Sequence, residues 1–210
     1  SNPLGRGMYT LLTDIVKYLP APDQRECTGI DAVSNEVFQA DYNFSKPKSA
    51  YVFKTIVDPF IGKYSLIKVN SGVLKTDDVL YNYHRGEEFR AGKLYVMNGQ
   101  KAEEVAELHA GDIGALSKAG NVRTTDSLST KANPILYIRA SISVPYCCMR
   151  YEAAEGQDAD KATQALQKLA EEDMTLRVVN DGENQQTLLY GISEQHLKAV
   201  AERLNAKYKA

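Results

Sequence analysis

The chain has 210 residues, 43% of them hydrophobic and 25% charged, which gives room for one large globular domain or two small ones. Its 25 basic and 27 acidic residues leave a formal charge of −2, so no global positive field draws it to nucleic acid and any such contact needs a local patch. No apolar run reaches the roughly 18 residues of a membrane span, and the N-terminus lacks the apolar stretch of a secretory signal.

The first predicted element is a helix. Met8, Leu11, Leu12, Ile15, Val16 and Leu19 recur at three- and four-residue steps, one apolar stripe, until Pro20 and Pro22 stop it. Residues 23–48 are polar, lack sustained periodicity and read as a linker. From 49 to 143 the pattern turns to strands: 50–57, 63–69, 78–81, 93–97, 103–108 and 111–116. Turn signals such as Asn70-Ser71-Gly72 and Asn98-Gly99 separate them. Short β-rich runs at regular spacing predict a closed antiparallel barrel.

The last third, 144–210, changes period. A strand at 146–151 leads to a helix with Ala162, Ala165, Leu166, Leu169 and Ala170 on one face and Asp158 as N-cap. Strands at 175–179 and 186–190 follow. A second helix starts at Ser193, stapled by Ile192 and Leu197 and striped by Val200, Ala201, Leu204 and Tyr208. Strand, helix, strand, strand, helix is a ferredoxin-like split βαβ order without its last strand. Domains this small bury little surface alone, so they are expected to lean on each other or, through the open sheet edge, on a second copy as a dimer.

Few residues suggest chemistry. The spacing of a phosphate-binding loop is absent around Gly62-Lys63-Tyr64, and no His and Cys pair sits at metal spacing. The three cysteines argue against a disulfide framework, and Cys147 and Cys148 read as buried apolar residues in a reducing cytoplasm. His84 and His109 read as surface residues. The acidic run Glu171-Glu172-Asp173 opposes the dipole of the helix it ends; it reads either as solvated or as awaiting a compensating partner.

Several stretches resemble the elongation factor G family of translational GTPases. Asp58-Pro59-Phe60-Ile61-Gly62-Lys63 and Val69-Asn70-Ser71-Gly72-Val73-Leu74-Lys75 are similar to the opening of its domain II. Gly111-Asp112-Ile113 and Thr125-Asp126-Ser127-Leu128 are similar to later barrel signatures. In domain III the resemblance rests on three stretches: Ala165-Leu166-Gln167-Lys168-Leu169-Ala170-Glu171-Glu172-Asp173, Gln186-Thr187-Leu188-Leu189-Tyr190-Gly191, and Glu194-Gln195-His196-Leu197. Departures such as Gly191-Ile192-Ser193-Glu194-Gln195-His196-Leu197-Lys198, where the family reads Gly-Met-Gly-Glu-Leu-His-Leu-Glu, leave a housekeeping factor and a diverged recycling or ribosome-protection paralogue both open.

The resemblance implies a translation-factor β-barrel (49–143) followed by the truncated ferredoxin-like α+β domain (144–210). Residues 1–22 would close a GTP-binding domain that precedes them. It implies a cytoplasmic protein that docks on the ribosome and couples domains, with no catalytic, cofactor-binding or metal residue of its own. GTP and magnesium would sit in the preceding domain, and neither a membrane nor DNA is expected as partner. Thr175, His196 and Arg203 match positions at the interface with the GTP-binding domain, where fusidic acid binds in relatives; they should be partly exposed. His196 also reads as an ordinary histidine near a helix start. Lys63, Lys68, Lys75, Arg90 and Lys93 are candidates for contact with small-subunit ribosomal RNA, against a plainer reading as solubilising charge. The alternative from another class is a free-standing RNA- or oligosaccharide-binding barrel with an α+β appendage.

Overall fold

A computed structural model describes residues 5, 7–58, 62–99, 101–117, 119–152, 159–182 and 186–208. Helix α1, Met8–Tyr18, follows a left-handed Gly7 and ends where Leu19 turns extended. It buries none of its residues, so the expected apolar stripe is present but lies in solvent. A single 3-10 turn, Pro22–Gln24, comes next.

The stretch expected to be a linker is folded. β1 (Thr28–Asp31) and β2 (Val37–Gln39) form an antiparallel hairpin. The Asp31 carboxylate accepts the Val33 and Ser34 N–H groups at 2.8 and 3.2 Å, and Asn35 takes a positive φ of 60°, which closes the turn. Strands of three and four residues are too short to display a period, which is why composition alone suggested coil.

The barrel strands are β3 (Ser49–Asp58), β4 (Gly62–Ser71), β5 (Val73–Lys75), β6 (Val79–Asn82), β7 (Glu87–Arg90), β8 (Leu94–Asn98), β9 (Lys101–Val105), β10 (Glu107–His109), β11 (Ile113–Ser117) and β12 (Ser127–Ser129). The run expected at 103–108 is thus split between two strands. Eight strands pair in the order β7-β6-β12-β3-β4-β11-β8-β9, and β5 with β10 makes a separate ribbon. One apolar cluster fills the interior, with Val52, Ile67, Leu74, Leu80, Leu94, Leu108, Leu116 and Leu128 each at most 2% exposed. Every strand of sheet and ribbon feeds that cluster, so the strands wrap one core as a barrel. Gly72 turns β4 into β5 at φ 72°, and a Cβ there would lie 2.6 Å from Lys48 Cα, so only glycine fits. β13 (Ile135–Leu136) then pairs with β1 and seals the hairpin against the barrel.

The α+β domain comprises β14 (Cys147–Tyr151), α2 (Ala159–Glu172), β15 (Arg177–Asp181), β16 (Gln186–Gly191) and α3 (Glu194–Tyr208). Its sheet order is β14-β16-β15, all antiparallel, the split βαβ arrangement with β14 at an edge. Leu166, Leu169, Leu176, Leu189, Leu197 and Leu204 form its core. Ser193 Oγ accepts the His196 N–H at 3.1 Å, the cap expected of α3. The proposed cap Asp158 and the segment Pro59-Phe60-Ile61 lie outside the described residues. The cysteine reading needs correction: Cys147 is half-buried against the core but Cys148 is exposed, because neighbours on an edge strand face opposite ways and only one face of this sheet carries helices.

Candidate functional site

Two polar hubs organise the molecule, one inside the barrel and one where the barrel meets the α+β domain. The first is Asp126, whose side chain is fully buried just before β12. It accepts the Asn82 amide at 2.8 Å, the Arg123 N–H at 3.0 Å and the Arg139 guanidinium at 2.8 Å, and Arg85 lies 3.6 Å away. Burial alone would raise its pKa; the Asn82, Arg123 and Arg139 hydrogen bonds and the Arg85 charge outweigh burial and hold it below the usual carboxylate range. Beside it, Ser127 and Ser129 hydroxyls accept the Tyr137 and Ile135 N–H groups, which fastens the exit chain to the barrel. The Tyr137 phenol, buried against Ser49, is pushed up to about 12.

The second hub is the C-terminus of α2. The Glu172 side chain is 5% exposed and accepts the Val57 N–H of β3 at 2.6 Å, Arg203 at 2.9 Å and Lys207 at 2.8 Å. Lys207 also donates to the Val57 carbonyl at 2.5 Å, so α2 and α3 both bind the backbone of that one barrel residue. Glu171 meets Lys63 of β4 at 3.5 Å. Asp173 accepts both the N–H and the hydroxyl of Thr175, at 2.9 and 2.5 Å, and faces His196 Nε2 at 3.0 Å. His196 Nδ1 accepts the Ile192 N–H at 3.3 Å, so Nε2 carries the proton and donates to Asp173. Burial raises the Asp173 pKa, but the Thr175 hydroxyl and N–H, then His196, bring it below its ordinary value. The acidic run therefore has its partners: three carboxylates at the negative end of a helix are each bound by cations or N–H donors.

Gly191 makes this packing possible. A Cβ there would come within 2.7 Å of Leu197 Cδ2 and 2.8 Å of His196 Nδ1. A cleft of about 420 Å³ opens at the joint between Phe53, Lys54 and Thr55 of β3 and Met174, Thr175 and Arg203. Among the described residues no group of three or more His, Cys, Asp and Glu side chains could hold a metal ion. Also among them, no helix is long and apolar enough to cross a membrane.

Two family models match this arrangement: elongation factor G domain 2 over residues 47–131 and elongation factor G domain III over residues 142–210. The chain belongs to the elongation factor G family. Its two matched stretches are domains of elongation factor G, and neither matched model is a nucleotide-hydrolysing domain. A crystal structure from Thermus thermophilus is also similar, with a TM-score of 0.70 and 29% identity over 95% of this chain. The chain spans 28% of the length of that solved protein.

Within domain III, Thr175 and His196 converge on Asp173, and Arg203 binds the neighbouring Glu172. Thr175 and His196 are half-buried and the Arg203 side chain is 57% exposed. Thr175 and Arg203 also line the joint cleft, on the side that faces the barrel. The five basic candidates of domain 2 are spread rather than gathered. Lys63 is bound to Glu171, Lys75 faces Glu107 at 3.7 Å, and Lys93 pairs with Glu104 at 2.7 Å. Lys68 lies over the Tyr42 ring, and Arg90 is exposed on β7 at one end of the ladder. His84 and His109 are half-buried; His109 packs on Phe44 and faces Glu107 and Asp112. Burial and the nearby Arg139 lower the His84 pKa.

Sequence reasoning missed the Asp126 hub and Lys207. Asp126 was visible only as one letter of a barrel signature, since its partner Asn82 stands 44 positions away in the chain until the barrel forms. Lys207 shares α3 with Arg203, one turn on, and that i, i+4 spacing puts both on one face.

Proposed function

We propose that the chain serves as the ribosome-docking and interdomain-coupling part of an elongation-factor-G-type GTPase. The observation that carries this is the Glu172 joint: a nearly buried carboxylate ties α2, α3 and the β3 backbone into one contact. A joint of that kind transmits a rotation of one domain to the other instead of letting them swing apart. The family's work is protein synthesis, and an exposed α1 fits a helix that packs on a GTP-binding domain. In that parent, GTP and magnesium would occupy the other domain and bias how these two sit on the ribosome.

Thr175, His196 and Arg203 would stand at the border with the GTP-binding domain. Lys68, Lys75, Arg90 and Lys93 would meet small-subunit RNA phosphates in the cytoplasm; Lys63, turned to Glu171, would serve the joint first. Salt-dependent co-sedimentation with small ribosomal subunits tests the docking. Binding at low salt that falls as salt rises is expected. Absence of binding at any salt, by a chain that also carries the GTP-binding domain, would overturn the reading. Calorimetric titration with GTP should show no heat of binding to this chain.

A further inference from the structure

A second cleft, about 590 Å³, also borders Phe53 and lies between the chain entering β1, the barrel and the chain leaving β13. Its floor is aromatic and apolar. Val52 pairs with Ile67 and Lys54 with Leu66, so Phe53 is the extra residue of a β-bulge. A bulge re-aims the side chain it inserts. Phe53 is 39% exposed and lines both clefts. The Tyr51 ring beside it is fixed edge-on to Tyr137, with its hydroxyl accepting the Ala140 N–H at 3.2 Å. Ile113 and Ile138, 58% and 86% exposed, present further apolar surface that a folded core would cover.

The rim is cationic. Arg25, Lys68 and Arg139 line the cleft against one carboxylate, Glu26. Arg139 is engaged by Asp126, whereas Lys68 rests over the Tyr42 ring, 5.0 Å from its centroid. A flat ring surface under a positive rim selects a ligand with a planar face and an anionic tail.

We infer that this cleft takes one unstacked nucleotide of single-stranded RNA, its base against Phe53 and Tyr51 and its phosphate between Arg25 and Lys68. The size fits: small-ligand clefts of about 300–1,000 Å³ are mostly apolar with a few placed polar groups. So does the chemistry, since RNA loops and ends are held by stacking splayed bases on aromatic rings. Double-stranded RNA offers no free base face and would meet only the rim. The partner class rests on the ribosome-docking reading; the cleft itself does not.

The test uses the whole chain and a single-stranded pentaribonucleotide with 2-aminopurine at its centre, titrated by fluorescence at low salt. A saturable fluorescence change is expected, with a duplex of the same sequence binding at least several-fold more weakly. Phe53→Ala should weaken the oligonucleotide by about tenfold, the size of one lost stacking contact, and Ile138→Ser should weaken it by about threefold through lost apolar surface. Phe53 borders both clefts, so Ile138→Ser, which alters a residue lining only this one, decides if Phe53→Ala disturbs the melt. Arg25→Gln and Lys68→Gln should each weaken binding and lower the salt slope by about 0.7. Equal affinity for duplex, indifference to these variants, or displacement by polyglutamate would overturn the cleft, the last pointing to an acidic peptide instead. Small-subunit co-sedimentation that persists without any oligonucleotide response sinks the cleft alone. An oligonucleotide response without co-sedimentation sinks the docking reading and leaves the cleft standing.

Discussion

The barrel and the α+β domain each gather charge around a shielded carboxylate, but they use it differently. Asp126 is bound by groups of the barrel and of the strand exit that follows it, with no α+β group among its described partners. Glu172 takes one donor from β3 and two from α3, so one of its three donors belongs to the neighbouring domain. One hub closes a domain on itself; the other is complete only while two domains touch. A buried charge with donors from one unit specifies that unit's shape, whereas one with donors from two specifies their relation. That contrast is open to three experiments.

The largest effect should come from Asp126→Ala. It leaves the Arg123 N–H and the Asn82 amide without an acceptor inside the barrel, and Arg139 and Arg85 without a counter-charge. Hydrogen bonds to charged groups and broken buried pairs set the loss at about 3 kcal/mol, tempered because both arginines reach solvent. Urea unfolding followed by tyrosine fluorescence measures it. A loss below about 1 kcal/mol would mean that the hub is incidental to barrel closure.

Glu172→Ala should cost less, about 1–2 kcal/mol, because Arg203 is more than half exposed and can be resolvated. Its signature is different in kind. The wild type should melt in one calorimetric transition, and the variant should separate a barrel transition from an α+β transition. A double-mutant cycle with Lys207→Met should return a coupling well above the error of the method, since the two side chains bond each other at 2.8 Å and bind the N–H and the carbonyl of Val57. A single unchanged transition would erase the distinction between the two hubs.

The legibility of the sequence divides along the same line. The α+β order, the Ser193 cap and the stripes of both helices, except Ala201 of α3, which is exposed, were readable because 3.6-residue periodicity and capping are local signals. Long barrel strands such as β3 and β4 were readable for their β-rich runs. β5, β7 and β12 were not, being three or four residues each and defined by partners far along the chain. The β1–β2 hairpin failed for the same reason. Of the candidate site, Thr175, His196 and Arg203 came from resemblance, and the run Glu171-Glu172-Asp173 signalled an unmet dipole. Which donors meet that dipole is a tertiary fact: Val57 stands 115 positions from Glu172, and nothing in either local pattern points to the other.

The smallest effect, and the subtlest, is acid. Asp126 and Asp173 both sit below their ordinary carboxylate values, so the folded state binds fewer protons than the unfolded chain as each titrates. Their contribution is fully present above the unfolded value near pH 4 and is lost as pH falls through the folded values. Urea midpoints should therefore drop steeply below about pH 4; a shallower loss between about pH 7 and 5 belongs to His84, whose lowered pKa makes the folded state resist the proton that the unfolded imidazole takes up. The two carboxylates predict unequal shares. Asp126 is sealed and faces two guanidinium groups, while the Asp173 side chain is 37% exposed and two of its three bonds come from Thr175. Asp173→Asn keeps an oxygen for the Thr175 N–H and should flatten the acid limb slightly; Asp126→Asn removes the charge that its arginines face and should flatten it more. If the order reversed, the joint rather than the barrel interior would be the acid-sensitive element, and low pH would separate the domains before the barrel opens.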